Sequence, residues 1–251
     1  SPKRCTGKIG EQFKRTRQAL DGLSHFIEKD YNLCINHGNG PQVGNELMRM
    51  ELTRNQIPSL PLGICVASTQ GSIGYMIQQC FQNKLRKMGI DREVVTLVSQ
   101  VIVNKNDSAF KYPTKYIGKR FTKKEADELA FTHGWNFQEQ EKGKHRRIVP
   151  SPMPEYIMHG KSIKALVDRG TIVIASGGGG IPVFNNDLGQ LEGLDAVIDK
   201  DYTAAKMGRI IRAQELWIIT DVDGIYDNFG SSNQSRISLM TKREAEKLHT
   251  R

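Results

Sequence analysis

A β-branched run followed at once by glycines is the feature of this chain that most constrains its fold. Residues 171–175 read Thr-Ile-Val-Ile-Ala, and four consecutive glycines, Gly177 to Gly180, come one residue later. The run predicts a buried strand over 171–176. Glycines leave successive backbone N–H groups open to an anion. A glycine inside a strand or helix that binds nothing would destabilise the fold by about 0.5–1 kcal/mol relative to alanine. A bound phosphate therefore explains the loop better than a simple turn.

A second apolar run, Ala196 to Ile198, leads into Asp199-Lys200-Asp201. Lysine is a compact cation suited to phosphate oxygens, and flanking carboxylates can orient it or hold a metal. A solvated charge run is the alternative, but the position directly after a predicted strand favours a functional role. Together with the glycine loop, this segment predicts phosphoryl transfer.

An upstream segment has the same order of elements. Residues 33–36 predict a buried strand, residues 37–45 carry a loop with Gly38, Asn39 and Gly40, and residues 43–54 predict a helix. A helix N-terminus beside a glycine loop offers unpaired N–H groups and a favourable dipole to an anion. The loop has one residue too many for the dinucleotide fingerprint, and a Walker motif is absent. His37 is either a hydrogen-bonding residue of the loop or a base.

Strands and helices alternate along the chain, which predicts an α/β fold. We expect a three-layer, open, mostly parallel sheet between helices, with ligands beyond the carboxyl ends of the strands, in a single domain over 1–251. The remaining predicted strands are 94–103 and 215–220, and the remaining predicted helices are 9–29, 66–88, 162–169, 203–212 and 241–249.

Residues 104–152 differ in character and predict an inserted, protruding subdomain. Between Asn104 and Arg147 the chain has eleven Lys or Arg against six Asp or Glu, out of a net charge of +9. Such an excess suits nucleic acid, a solvated surface, or a lid over a polyanionic small molecule. No RNP-like motif, zinc finger or helix-turn-helix supports nucleic acid, so we expect no nucleic-acid partner.

Composition excludes several other classes of protein. No run reaches the roughly 20 apolar residues of a membrane span, and no secretory apolar segment is present. The four cysteines, Cys5, Cys34, Cys65 and Cys80, lack CxxC spacing, and the six histidines show no metal-ligand spacing. We therefore expect free thiols in a reducing, cytoplasmic compartment, no membrane contact and no protein-held metal site.

Six blocks, in order and at suitable spacing, resemble the carbamate kinase branch of the amino acid kinase family. They are His-Gly-Asn-Gly-Pro-Gln-Val-Gly (37–44), Thr-Gln-Gly-Ser-Ile-Gly-Tyr (69–75), Phe-Lys-Tyr-Pro-Thr-Lys-Tyr-Ile-Gly (110–118), Arg-Arg-Ile-Val-Pro-Ser-Pro (146–152), Gly-Gly-Gly-Gly-Ile-Pro-Val (177–183) and Val-Ile-Asp-Lys-Asp (197–201). The resemblance implies a homodimer whose subdomain closes over the site. It also implies the reversible reaction of carbamoyl phosphate with ADP to give ATP and carbamate, with nucleotide-bound Mg²⁺.

The resemblance also assigns roles to individual residues. Lys200 would bridge the phosphates, Asp201 and Asp199 would orient lysines or the metal-bound nucleotide, and Lys115 would reach the substrate from the subdomain. Two loops would hold the transferred phosphoryl group and line the phosphate channel: Gly38, Asn39 and Gly40 in the first, and Gly177, Gly178 and Gly179 in the second. Four residues would lie near the adenosine: Thr220, Asp221, Val222 and Tyr226.

Two blocks that the family uses to hold phosphates have no counterpart in the sequence given. These are an opening Gly-Gly-Asn loop and a later Gly-Ser-Met-x-Pro-Lys block; we expect a complete enzyme to carry both. Two alternatives stay open: another amino acid kinase acting on a carboxylate such as glutamate or acetylglutamate, and a non-catalytic nucleotide-binding protein.

Overall fold

The computed structural model describes residues 8–220 and 222–249, and the chain divides into two compact units, Ser1–Gln214 and Glu215–Arg251. The helices are α1 Ile9–Asp21, α2 Ser24–Glu28, α3 Gly40–Thr53, α4 Leu62–Met88, α5 Lys123–His133, α6 Gly160–Asp168, α7 Lys200–Ile211 and α8 Lys242–His249. The strands are β1 Cys34–Ile35, β2 Val94–Leu97, β3 Gln100–Val103, β4 Lys115–Phe121, β5 Asn136–Glu141, β6 Lys144–Val149, β7 Pro154–Ile157, β8 Ile172–Ala175, β9 Ile181–Asn185, β10 Leu191–Gly193, β11 Ile225–Asp227 and β12 Ser235–Ile237.

A parallel sheet of order β1-β8-β2 lies at the centre of the first unit. Its middle strand, β8, is buried along its whole length. Ile172 and Ile174 belong to a core with α4 residues such as Phe81, whereas Val173 and Ala175 belong to a core on the other side. Alternate side chains of a strand point to opposite faces, so both faces of this sheet are covered. The predicted α/β fold with a parallel sheet between helices is confirmed.

The single strand predicted over 94–103 is wrong, because the chain changes sheet in its middle. After β2 the strand conformation is interrupted at Val98 and Ser99, and β3 then joins a second, mixed sheet of order β10-β9-β3-β7. The Ser99 N–H donates to the Gln70 side chain, whereas the Ser99 carbonyl accepts both the Gln70 amide and the Ile181 N–H of β9. A buried amide side chain thus replaces a strand partner at the switch point.

The predicted insert forms its own three-stranded antiparallel sheet, β4-β6-β5, with α5 packed against it. Helix α5 begins with a capping box between Thr122 and Glu125 and ends at Gly134 in the left-handed conformation. Strand β4 crosses α3 at Gly118, where a Cβ added to Gly44 would overlap the Gly118 backbone. The insert is therefore seated directly on α3.

The second unit contains the antiparallel pair β11-β12 and helix α8. The strand predicted over 215–220 is wrong: these residues take no strand conformation, and Leu216 to Ile219 are exposed. A β-branched run becomes a strand only where a neighbour accepts its backbone hydrogen bonds. Within the described parts of the chain, no helix is long and apolar enough to cross a membrane.

Candidate active site

Asp199 determines where α7 begins and therefore where the central lysine lies. Its extended backbone precedes the helix, and its Oδ1 accepts a hydrogen bond from the Asp201 N–H at 2.9 Å. Aspartate is a preferred N-cap because it satisfies one of the unpaired N–H groups of the first turn. Lys200 is consequently the first residue of α7, three residues earlier than the predicted helix start. The preceding run, Ala196 to Ile198, is buried but is not the strand that the sequence predicted.

Two lysine–aspartate pairs meet at this helix start. Lys115 Nζ, from β4 of the insert, lies 2.5 Å from Asp199 Oδ2, and Lys200 Nζ lies 2.7 Å from Asp201 Oδ1. Burial alone would raise the pKa of Asp199, but the hydrogen bonds from Lys115 and the Asp201 N–H, with the charges of both lysines, hold that pKa below its usual value. The structure thus brings together all four residues that the sequence predicted as catalytic.

The first glycine loop lies beneath the Lys200 side chain. A Cβ added to Gly38 would lie 3.2 Å from Lys200 Cδ and 3.3 Å from Cε, so a larger residue would press on the lysine stem. Gly40 begins α3, and the side chain of the preceding Asn39 is buried and donates to Thr69 Oγ1 at 2.9 Å. Asn39 is therefore occupied in fixing the loop, while the helix N-terminus is left for an anion.

The two glycine loops are hydrogen-bonded to each other. The Gly178 N–H donates to the His37 carbonyl at 2.7 Å, and Asn36 Nδ2 donates to the Ser176 carbonyl at 2.8 Å. The His37 ring lies against Gly177, where no Cβ would fit. Burial lowers the pKa of His37, so the ring is neutral, and its Nδ1–H donates to the Gly38 carbonyl at 3.0 Å. These contacts favour the hydrogen-bonding role for His37 over the role of a base.

The glycine run is also joined to α7. The Gly179 carbonyl accepts a hydrogen bond from Thr203 Oγ1 at 2.9 Å. Gly178 and Gly179 have φ values of 65° and 92°, and an added Cβ on either would collide with Asn39 or with the Ile198 carbonyl. Positive φ and close backbone approach are the two conditions that favour glycine. The predicted phosphate-binding residues of both loops therefore surround the start of α7.

Sequence reasoning missed Gln70, a buried polar residue of α4 that holds the second loop in place. Its Nε2 donates to the Gly177 carbonyl at 3.0 Å and to the Ser99 carbonyl at 3.2 Å, while its Oε1 accepts from the Ser99 N–H at 2.8 Å. Ser99 Oγ in turn accepts from the Ser176 N–H at 2.9 Å. Two sequence signals were present: α4 begins with polar residues where a core helix should be apolar, and Gln70 lies in the block at 69–75 that carries the family resemblance.

Replacing Gln70 with leucine is expected to lower both stability and activity. The buried Ser99 N–H would lose its acceptor, which costs about 1–3 kcal/mol. The Ser99 and Gly177 carbonyls would each lose one of two donors and keep the other, the N–H of Ile181 and of Gly180. The loosened loop should also lower the rate of phosphoryl transfer about tenfold, since such transfer depends on positioning. Urea unfolding and kcat together measure both effects.

Gln79→Leu, at an exposed position of the same helix, is the matched control. It should change neither quantity. A Gln70→Leu protein with the stability and the kcat of the unsubstituted chain would show that Gln70 does not support the loop.

The predicted adenosine-binding residues lie in the second unit. Tyr226, in β11, donates its hydroxyl to Asp223 Oδ1 at 2.7 Å, and Arg236 Nη2 donates to the Asp223 carbonyl at 2.7 Å. Thr220 and Val222 are exposed, and Asp221 falls outside the described residues. Their role in nucleotide binding stays a prediction.

The described cysteines are shielded thiols. Burial raises the pKa of Cys34 to about 12 and that of Cys65 to about 11, and it raises the pKa of Cys80 as well; all three are free. Cys5 falls outside the described residues. Among residues 8–220 and 222–249, no group of three or more His, Cys, Asp or Glu could hold a metal ion.

A parallel sheet whose strand-to-helix loops carry glycines and a lysine defines a phosphate-handling α/β protein. The family model described as the amino acid kinase family matches residues 7–251. The chain belongs to the amino acid kinase family.

Several relatives in that family are carbamate kinases. The carbamate kinase of Pyrococcus horikoshii is 40% identical over 97% of this chain and 78% of its own length, and carbamate kinase 2 of Staphylococcus epidermidis is 43% identical over 94% of this chain and 77% of its own. Among solved structures, the carbamate kinase of Giardia lamblia bound to AMP-PNP has a TM-score of 0.84 at 32% identity. The matched region spans 94% of this chain and 75% of the Giardia lamblia chain.

Proposed function

We propose that the protein catalyses the reversible transfer of a phosphoryl group between carbamoyl phosphate and ADP, giving ATP and carbamate. The observation that carries this proposal is the meeting of Lys115, Asp199 and Lys200 at the start of α7, beside two glycine loops. Relatives at 40–43% identity are carbamate kinases. Carbamate released in the reaction decomposes to ammonia and CO₂.

In the proposed reaction, an ADP β-phosphate oxygen attacks the phosphorus of carbamoyl phosphate. The bond from that phosphorus to the carbamoyl oxygen breaks, and carbamate leaves with its electron pair. Such transfer requires alignment and charge stabilisation more than covalent assistance. Lys200 and the loop N–H groups supply positive charge to the transferred group, and Lys115 reaches the substrate from the insert.

The two aspartates position the lysines in this proposal. Asp199 is bonded to Lys115 and caps α7, so it links the insert to the helix that carries Lys200. The Asp201 carboxylate accepts a hydrogen bond from the Lys200 ammonium, and phosphate oxygens take the place of that carboxylate when substrate binds. Lys115 lies on the first strand of the insert and reaches Asp199 at the start of α7. The insert, residues 104–152, therefore covers the site as a lid.

Mg²⁺ is expected to enter with the nucleotide. It binds phosphate oxygens, keeps several waters and needs only one or two protein carboxylates, so it does not require a dedicated cage. The half-exposed Asp201 carboxylate is suited to contact it. When bound, the ion neutralises phosphate charge.

Nucleotide binding is proposed for Thr220, Asp221, Val222 and Tyr226, and a homodimer is proposed as the working assembly. The Giardia lamblia structure with AMP-PNP supports a nucleotide site in the fold. The homodimer rests on the family resemblance and is measured directly by light scattering in solution.

The test is ATP formation from ADP and carbamoyl phosphate with Mg²⁺, in a coupled assay on protein of verified intact mass. We expect turnover that depends on both substrates. ATP consumption with glutamate or acetylglutamate, and none with carbamate, would assign the protein to another amino acid kinase activity. Nucleotide binding without turnover on any of these acceptors would indicate a non-catalytic protein.

A further inference from the structure

A cavity of about 240 Å³ lies where the insert meets the first unit's core, outside the site described above. The cavity is lined by the end of α3, by the loop before α4 and by the insert residues His133, Trp135 and Arg147. Asp195, which precedes α7 in the sequence, also lines it. Neither lysine of the candidate active site, nor any residue of the two glycine loops, belongs to this lining. The cavity is thus a separate feature that the proposed reaction does not use.

Arg147 forms no ion pair with a carboxylate of the described residues, although Asp195 in the same lining attracts it. Its guanidinium lies 3.9 Å from the centroid of the Trp135 ring. Its Nε and Nη1 are sealed from solvent without a hydrogen-bond partner among the described residues, so Nη2 is the nitrogen left to meet a ligand. Burial lowers the pKa of Arg147 to about 10, against the attraction of Asp195. A half-buried, stacked arginine without a bonded carboxylate is an incomplete anion site.

The other charged groups of the cavity already have partners. Glu51 Oε1 lies 2.7 Å from His133 Nε2 and 3.6 Å from Arg54 Nη1. Asp195 Oδ1 accepts the Leu62 N–H at 3.0 Å. Two arginines and two acidic residues give the lining no excess positive charge, which disfavours the several charges of a nucleotide. A single carboxylate that hydrogen-bonds Arg147 is the most negative charge that this lining can hold.

The size and walls of the cavity restrict the ligand further. Besides Trp135, the lining contains five apolar residues and one serine: Leu47, Met50, Leu60, Pro61, Leu62 and Ser59. Its volume falls below the roughly 300–1,000 Å³ of sites that hold drug-sized molecules. The ligand is therefore small, with a short apolar body beside one anionic group.

We propose that this cavity binds a small monocarboxylate, with its carboxylate on Arg147 and its apolar body against α3 and the loop before α4. Arg147 pairs across the insert sheet with Ile117, two residues from Lys115 on β4. A ligand held there joins the insert to the core and bears on the position of Lys115. The binding itself does not depend on the proposed function.

The experiment uses Trp135 as a reporter in the full chain. The sequence has two tryptophans, so the Trp217→Phe protein reports on Trp135 alone. Butyrate should change its fluorescence in a saturable way, with an affinity near the millimolar range expected for so small a ligand. Butanol, of the same length without the charge, should give no saturable change.

Three variants in that background locate the binding. Arg147→Met should weaken butyrate binding at least about tenfold, because the charge-assisted hydrogen bond is lost. Leu60→Phe, which narrows the cavity from its exposed side and leaves Arg147 in place, should weaken binding too. Arg146→Met, the neighbouring arginine that lies over Tyr116, should bind as the parent does.

Several results would overturn the proposal. These are the absence of a saturable response to butyrate up to about 100 mM, an equal response to butanol, or unchanged binding in both Arg147→Met and Leu60→Phe. A response to inorganic phosphate without one to butyrate would contradict the assignment of a carboxylate. Each of these binding measurements can be interpreted whether or not the protein forms ATP, so failure of the carboxylate site and failure of the proposed function are distinguishable.

Discussion

Replacing Lys200 with alanine is expected to lower the rate of ATP formation from carbamoyl phosphate and ADP by at least about 100-fold, as loss of one charge-stabilising group does in other enzymes. The side chain begins at the first residue of α7, passes over Gly38 and ends beside Asp201. Because its charge acts on the transferred group more than on the bound substrate, kcat should fall more than KM rises. Steady-state kinetics in both substrates measure this.

Two further lysine variants separate this role from a loss of structure. Lys206→Ala removes a lysine from the same helix, where its ammonium bonds the Glu155 carbonyl, and should leave kcat within about twofold. Lys200→Arg keeps the charge but replaces a compact ammonium by a planar fork, so it should recover only part of the rate. If Lys200→Ala retained the parent rate with an unchanged unfolding curve, Lys200 would have no part in the reaction.

The sequence predicted those parts of the candidate active site that are formed by residues close together in the chain. An apolar run and the glycines that follow it are read from neighbouring residues, and the structure confirms two such units, at 34–53, where a predicted helix follows, and at 172–179. Lys115 differs because it meets Asp199 across a separation of 84 residues. No periodicity or spacing places those two together, and only the family resemblance indicated Lys115.

The two failed strand predictions have a common physical cause, because a local pattern cannot reveal which hydrogen-bond partners the backbone will have. The β-branched run over 94–103 predicts one strand, but the Gln70 side chain bonds the Ser99 backbone and the chain changes sheet there. The run over 215–220 is equally apolar, yet these residues are exposed and take no strand conformation. Asp199 was recognised as a charged neighbour of Lys200, whereas its role as the N-cap would have corrected the predicted start of α7.

Replacing Gly44 with alanine is expected to destabilise the junction between the insert and α3 and to lower activity. The added Cβ would overlap the backbone of Gly118, which cannot move aside as a flexible side chain can. Overpacking of this kind costs about 1–3 kcal/mol. Since Gly118 lies three residues after Lys115 on β4, the shift would move that lysine away from Asp199. A displacement of about 1 Å can lower a rate 100-fold, so kcat should fall by about 10- to 100-fold.

Gly10→Ala is the control for this substitution, since a Cβ there meets no atom within 4 Å and Gly10 also lies in a helix. Alanine is the better helix former, so this variant should be as stable as the parent or up to about 1 kcal/mol more stable, with unchanged kcat. Urea unfolding and kcat on both variants test the argument. Equal stability and equal kcat in the Gly44 variant would mean that α3 and β4 separate without cost. The insert would then be free of α3, and the close seating of the two glycines would have no part in placing Lys115. A stable Gly44 variant with reduced kcat would instead show that this contact serves positioning alone.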